Sequence, residues 1–464
     1  MNKATSQQPS RFLPYLVAAA FFMQLLDATI LNTALPGIAR DFNCDPLKLH
    51  SVVIAYVLTV AVLIPASGWI SDWLGSRKVF LGSLIFFSLG SLLCAASDSV
   101  GMLTVSRIFQ GIGGAFLMPV GRLVILRAYP RKDFVRVMSL VTMPGLMGPL
   151  MGPLLGGFFV EYLSWHWIFL INIPVGALGI WATLRWMPNL FAVEKKPFDW
   201  VGFLLFALAA VSISLSLEGK ASGDPSQGRM FFLMATGGLC LFTYWTRTKK
   251  VKAPLFSRDL FKTTTFAIGI VGNLVARIGG GAMPYLMPLF FQVVLGYSAF
   301  KSGLSMLPLA LCSIAVKPLI NPVLERFGYK YVMVINTVVL GVLVGCFSFI
   351  HPGIPEWVLI VLLSVLGMAN SMQFTCMNTL TLVDLPPKDT SSGNSLLSVI
   401  MQFAISFSIA VATMLLDEFM GGGVKDSPVV MRAFHLTFLV VAVFSTLSAV
   451  IFAQVPKEKG RRAS

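Results

Sequence analysis

Charge is what this sequence has least of. Asp, Glu, Lys and Arg make up 12% of its 464 residues, against about 25% in a soluble globular protein. That shortage excludes an ordinary water-soluble domain. Cysteine is sparse and scattered: Cys44, Cys94, Cys240, Cys312, Cys346 and Cys376 form no C-x-x-C pair, and only Cys44 falls in an expected loop outside the membrane. A disulfide framework and a cysteine metal site are therefore not expected. The four histidines, His50, His166, His351 and His435, stand apart from one another. There is no G-x-x-x-x-G-K phosphate loop and no nucleophile–base spacing, so an enzyme is not expected. No cleavable leader is expected either, because the first apolar run is too long and further runs follow it.

What is present is apolar length. Hydrophobic residues make up 56% of the chain, and the mean hydropathy is +0.80. Runs of about 20 apolar residues read as membrane helices. They fall near 12–34, 49–70, 79–97, 101–126, 136–160, 166–186, 200–217, 230–247, 264–293, 302–323, 331–350, 355–381, 394–416 and 432–454, which makes fourteen spans. The formal charge of +15 does not point to nucleic acid, because the basic residues cluster in short loops between apolar runs. Most of the 35 Lys and Arg lie on one side, among them Arg77, Lys78, Arg127, Arg131, Lys132, Lys249, Lys250, Arg326 and Lys330. The positive-inside rule puts that side, and both termini, in the cytoplasm.

Asp27 lies inside the first run, which carries no other charge. A carboxylate at that depth costs a few kcal/mol and marks a candidate functional site. Gln24 and Leu31 share its helical face. Arg107 enters the fourth run from the same side at about the same number of residues, so at 1.5 Å per residue the two groups lie at similar depth. A neighbouring guanidinium favours the ionised carboxylate and burial opposes it, so the pair suits a group that loads and unloads a proton. A static ion pair is the structural alternative. Gln110, one turn from Arg107, is placed to orient it. Arg277 lies mid-run, one turn past Asn273, and reads equally as an anion contact or as packing against carbonyls. Gln24, Asn32, Gln110, Asn273 and Arg277 are the candidate substrate contacts.

Two features repeat. Asp72-Trp73-Leu74-Gly75-Ser76-Arg77 after the second run is echoed half a chain later by Glu325-Arg326-Phe327-Gly328-Tyr329-Lys330. Half-chain repeats point to a transporter of two bundles around a central site. Gly148, Gly152 and Gly156 recur every four residues, which makes a smooth stripe that lets a partner backbone approach closely, while Pro149 and Pro153 remove backbone donors and bend the helix.

With these residues in view, the chain resembles the major facilitator superfamily, in its fourteen-span drug:proton antiporter branch. Gly68-Trp69-Ile70-Ser71-Asp72-Trp73-Leu74-Gly75-Ser76-Arg77-Lys78 matches the signature between spans 2 and 3, with Trp73 where a basic residue is usual. The stretch from Leu103 to Ala115 matches the span 4 signature. The stretch from Gly145 to Gly157 matches the antiporter signature of span 5. Trp165 to Gly176 and Gln292 to Pro308 match the branch, and Ser164–Gly176 with Leu380–Leu397 narrows the likeness further.

The resemblance implies an all-α integral membrane protein with the major facilitator fold: a six-helix bundle over 1–186, two inserted spans over 187–262 and a second six-helix bundle over 263–464. It implies Asp27 and Arg107 as the proton-coupling pair. Gly68, Asp72, Gly75, Arg77 and Lys78 become the inner gate, with Asp72 capping a second-bundle helix that starts near Gly393. Gly145, Gly148, Pro149, Gly152, Pro153, Gly156 and Gly157 become the seam against the second bundle. The function implied is efflux of small molecules, drugs among them, by a monomer in a bacterial inner membrane, driven by the proton gradient without a cofactor. An exporter of an organic acid or its metal complex, with Arg277 as the anion contact, and a transport-inactive sensor are the alternatives.

Overall fold

The structure is a computed structural model, which describes residues 10–129, 131–191, 197–221, 227–251, 254–386, 390–421 and 427–456. Among them every regular element is helical, as long apolar runs require where no water is available to satisfy an open strand edge. The first six expected spans appear as α1 (Leu13–Asp41), α2 (His50–Leu74), α3 (Ser76–Ala95), α4 (Val100–Ala128), α5 (Arg131–Tyr162) and the pair α6 (Trp167–Leu170) and α7 (Asn172–Trp186). The inserted pair is α8 (Trp200–Ala221) and α9 (Gln227–Arg247). Then come α10 (Thr264–Gly280), α11 (Met283–Val293), α12 (Ala299–Ser305), α13 (Leu307–Ala315), α14 (Lys317–Cys346), α15 (Glu356–Val383), α16 (Thr390–Met420), α17 (Ser427–Leu447) and α18 (Ala449–Phe452).

Ten helices among the described residues are long and apolar enough to cross a membrane. Trp200–Ser216 and Ala299–Ala315 are shorter apolar helices. Several expected spans are broken rather than straight. The ninth divides at Gly281, whose amide donates to the Arg277 carbonyl at 2.7 Å. Ser298 caps α12 by accepting from the Lys301 amide at 3.2 Å, a polar side chain taking one of the orphan donors of a helix start. Phe231 on α9 is 77% exposed and Leu178 on α7 is 67% exposed. An apolar surface bare to that degree belongs against lipid.

The half-chain repeat has the same backbone in both copies. Gly75, between α2 and α3, has φ 89° and ψ 141°. Gly328, inside α14, has φ 74° and ψ 159° and breaks the helix there. Both occupy a region that only glycine adopts without strain. A Cβ on Gly75 would also run into Asn189 and Phe191. Gly75→Ala is expected to lower stability by about 1–3 kcal/mol, read as a lower unfolding temperature in detergent, with Gly82→Ala, which meets open space, as the control.

Helix α1 packs on α5, α4 packs on α2 and α3, and α7 lies along α3. In the second half α14 packs on α15 and α17, and α10 on α15, α16 and α17. Helices α8 and α9 pack on each other, and α8 also touches α2 and α16. The halves meet where α2 lies on α16, α1 on α11 and α5 on α12. One buried cluster joins Ile30, Leu35 and Val52 to Tyr285, Phe290 and Phe434 across that junction.

Candidate functional site

Polar groups converge at mid-height of the first six helices. Asp27, on α1, has a side chain with no exposed surface, and Arg107, on α4, is equally enclosed. The Arg107 Nη1 donates to Asp27 Oδ2 at 2.6 Å and to Gln110 Oε1 at 2.6 Å. The other carboxylate oxygen, Oδ1, accepts from Gln110 Nε2 at 2.9 Å and from Asn172 Nδ2 at 3.0 Å. Ser91 Oγ accepts from the same two amides at 2.7 and 3.2 Å. The carboxylate thus accepts three hydrogen bonds drawn from two helices, α4 and α7. Such a set replaces the hydration that burial removes, and without it an ionised group at this depth would cost several kcal/mol.

Small residues make this convergence possible. A Cβ on Gly90 would come to 2.6 Å from the Gln110 amide nitrogen, so α3 and α4 meet backbone to backbone behind Ser91. Tyr56, on α2, lies with its ring 4.1 Å from the Arg107 guanidinium carbon, and Phe169 lies at 5.9 Å.

The structure therefore brings Asp27, Arg107 and Gln110 together. It redirects several expected substrate contacts. Gln110 is used up by the ion pair, because its amide serves Arg107, Asp27 and Ser91. Gln24 turns its Nε2 to the Gly114 carbonyl at 2.8 Å. Asn273 is buried and bonds the Gly269 carbonyl at 3.0 Å. Asn32 is buried, with Oδ1 unpartnered. Arg277 donates from Nε to Asn273 Oδ1 at 3.4 Å and lies 5.1 Å from the Phe374 ring, with Nη2 unpartnered.

The glycine stripe also has a different neighbour from the expected one. A Cβ on Gly148 would come to 2.7 Å from the Leu26 amide nitrogen, one on Gly152 to 2.9 Å from Thr29 Cβ, and one on Gly156 would press on the Ile30 carbonyl. All three face α1, inside the first six helices, and not the second half. The reason is the pitch: residues four apart point one way, and the next residue round the helix points another. Gly157 takes that other direction, with its Cβ position 2.8 Å from Phe300 Cα, and Gly303 returns the contact at Pro153. Pro153 is buried and Pro149 exposed. The surroundings of Gly145 lie outside the described residues.

Near this contact, Glu161 Oε2 accepts from the Phe300 amide at 2.8 Å. Lys301 pairs with Glu356 at 2.5 Å, and the hydrogen bond to that carboxylate holds the ammonium above its usual pKa.

At the opposite, basic side, Asp72 accepts from Arg127 Nη2 at 2.6 Å. Its carboxylate is thus tied to the last turn of α4, within the first six helices. The expected cap on the helix from near Gly393 falls on side chains, 390–391, that lie outside the described residues. The Gly75–Arg77 turn is held by the last turns of α7 and the segment that follows it. The Ser76 amide donates to the Leu190 carbonyl at 3.0 Å, the Leu190 amide donates to Ser76 Oγ at 3.0 Å, and the Arg77 guanidinium donates to the Leu184 carbonyl. Trp73 stands 5.6 Å from Trp69, which also packs on Phe198 and Trp200. An aromatic contact within α2 thus occupies the place of the usual basic residue, and Trp69 carries it on to Phe198 and Trp200. Lys78 is exposed, and Gly68 meets open space.

Sequence reasoning missed Tyr56 and Ser91 and gave Asn172 no role beyond the motif around it. Their signal was weak: each is a single polar residue in an apolar run, and only the fold shows that they point to one place.

The family model described as Major Facilitator Superfamily matches residues 17–409 and 310–464. A protein of Salmonella heidelberg named "Putative multidrug resistance protein MdtD" is 44% identical over 452 residues, covering 97% of this chain and 96% of its own. The protein of the same name from Pectobacterium atrosepticum is 43% identical over 449 residues, with the same coverage. Among solved structures, a POT family transporter in complex with 5-aminolevulinic acid superposes with a TM-score of 0.72 at 15% identity, covering 95% of each chain. The D-xylose–proton symporter superposes at 0.70 and 14%, covering 96% of this chain and 98% of that one.

Proposed function

We propose, for a chain that belongs to the Major Facilitator Superfamily and is therefore a membrane transporter rather than an enzyme, that it exports small molecules against inward-moving protons. In this reading the chain crosses a bacterial inner membrane fourteen times, as a monomer, with the basic side and both termini in the cytoplasm. Two six-helix bundles, 1–186 and 263–464, rock about a central site. The inserted pair within 187–262 rides on the turn around Gly75.

The observation that carries the reading is the Asp27 carboxylate: no exposed side-chain surface, one guanidinium partner at 2.6 Å and two amide donors. An ionised group held in this way changes its contacts when it takes a proton. Neutral Asp27 no longer attracts Arg107, so protonation and bundle position become linked, and a ligand that favours one position shifts the other. Export of drugs is the substrate class that the similarity to the multidrug resistance relatives supports.

The test is proton movement in everted membrane vesicles holding a preformed acid interior. Adding a transported drug is expected to discharge the interior acid, and only when the protein is present. No discharge with any of a broad set of drugs overturns the drug:proton reading.

One observation favours a second reading, export of an endogenous organic acid or its metal complex. Among the described residues Arg277 has no acidic partner, and its Nη2 is buried without a hydrogen bond. In that case organic acids, not drugs, discharge the vesicles, and Arg277→Ala removes the response.

A further inference from the structure

Protonating Asp27 creates a difficulty. It leaves Arg107, fully buried, without its counter-ion, and an unpaired buried charge is costly enough to prevent the proton from binding. Some group must receive the guanidinium in that state. Gln110 Oε1, at 2.6 Å, is one acceptor. A second is the Tyr56 ring, 4.1 Å from the guanidinium carbon and 2% exposed, nearer than the Phe169 ring at 5.9 Å.

We propose that Tyr56 is a positioning residue for proton binding, its ring face serving as the pad on which Arg107 rests when Asp27 is neutral. The proposal rests on the reading of Asp27 as the proton carrier. Its physical basis is differential. With Asp27 ionised, the ring faces a nearly neutral ion pair, and its negative face also repels the carboxylate. With Asp27 protonated, the ring faces a bare cation in a water-poor site, where cation–π attraction is strongest. The ring thus stabilises the protonated state more than the ionised one.

The span 4 signature supplies the seat. A Cβ on Gly114 would come to 2.6 Å from the Tyr56 hydroxyl oxygen, and one on Gly111 to 3.2 Å from the Tyr56 carbonyl. Glycine at both positions lets the ring lie against α4 at the height of Arg107. The hydroxyl lies beside Gln24, whereas the ring face meets the guanidinium, so the ring, not the oxygen, is the working part. The titratable or charged groups around Arg107 are Asp27 on α1, Cys94 on α3 and Tyr56 itself. Gln110, Ser91 and Asn172 complete the shell without charge.

The experiment is substrate-driven proton exchange by the full-length protein in proteoliposomes, followed as a function of pH. Tyr56→Leu is expected to move the midpoint about one pH unit to the acid side, because the variant needs more protons to separate the pair. The maximal rate returns once the pH is low enough. Tyr56→Phe keeps the ring and is expected to hold the midpoint at the wild-type value. Gly114→Ala is expected to give the same acid shift by displacing the ring, and adding Tyr56→Phe removes the clashing atom and restores the midpoint. An unchanged midpoint in Tyr56→Leu, or equal shifts in the Phe and Leu variants, overturns the proposal. If Tyr56→Leu does not fold, an unchanged midpoint in Gly114→Ala does so. Asp27→Asn in the same assay separates the two levels. Full pH-dependent exchange there removes the Asp27 reading itself, whereas its loss beside an unshifted Tyr56→Leu removes only the pad.

Discussion

Asp27→Asn is expected to reduce uphill export to the background of empty vesicles while leaving downhill substrate movement measurable. The amide keeps the shape of the carboxylate and loses its charge in every state, so nothing remains for the proton to switch. The same change leaves Arg107 buried without a counter-ion, and breaking a buried pair from one side typically costs about 3–5 kcal/mol. Loss of export alone would therefore confound coupling with folding. The double variant Asp27→Asn with Arg107→Gln separates them. It removes both charges from a site where Gln110, Asn172 and Ser91 still offer hydrogen bonds. It is expected to recover the folded yield and unfolding temperature lost in Asp27→Asn and to stay uncoupled. The checks are size-exclusion yield, thermal unfolding and substrate accumulation with and without an imposed pH gradient. Should the double variant still accumulate substrate uphill and stop when the gradient collapses, the proton enters elsewhere. Among the described residues, the polar side-chain contact of Arg277 is Asn273 on its own helix, not a member of the Asp27 cluster.

How much of this was legible in the sequence depends on what each signal measures. Apolar runs gave the helices because hydropathy reports length in hydrocarbon directly, and ten of those runs correspond to helices long enough to cross. The break at Gly281 was not legible, because hydropathy averages over it, whereas Gly328 falls in the gap expected between 302–323 and 331–350. The meeting of Asp27 and Arg107 was legible because helical rise turns residue counts into depth. Depth is one coordinate only. The face each helix turns inward also decides contact, and that left Asn172, Ser91 and Tyr56 unassigned. Trp73 was legible as a departure from the signature, but its neighbour Trp69 packs on Phe198 and Trp200 from a separate stretch of chain. The glycine stripe shows the limit most clearly. A four-residue period identifies a face that some backbone approaches, and says nothing about which backbone that is.

That distinction between glycine faces predicts opposite phenotypes for neighbouring residues. Gly152 faces α1 within a single bundle, and Gly157, five residues on, faces the start of α12 across the junction of the halves. Gly152→Leu forces side-chain volume between α5 and α1 beside Thr29, two residues from Asp27. With two bundles rocking as units, those helices do not part, so overpacking of about 1–3 kcal/mol is expected to fall on folding itself, read as lower yield and unfolding temperature. Gly157→Leu forces the same volume between Gly157 and the Ala299–Phe300 backbone, but a rocking transporter has a state in which that contact is open. The penalty there falls on one conformation only. A few kcal/mol moves such an equilibrium by one to two orders of magnitude toward the other state. Gly157→Leu is therefore expected to fold at wild-type yield, to lose export, and to expose the Glu161 side. Ala299→Cys, 6% exposed in this structure, reports that exposure through a membrane-impermeant maleimide, in a background freed of the native cysteines. Labelling is expected to rise at least tenfold in Gly157→Leu and to stay at the parent level in whatever Gly152→Leu protein folds. Gly303→Leu meets the Pro153 carbonyl from the other side of the same contact and is expected to behave as Gly157→Leu does. If Gly157→Leu loses yield as Gly152→Leu does and its surviving protein labels no faster, the contact between α5 and α12 is a permanent part of the fold and the halves do not separate there.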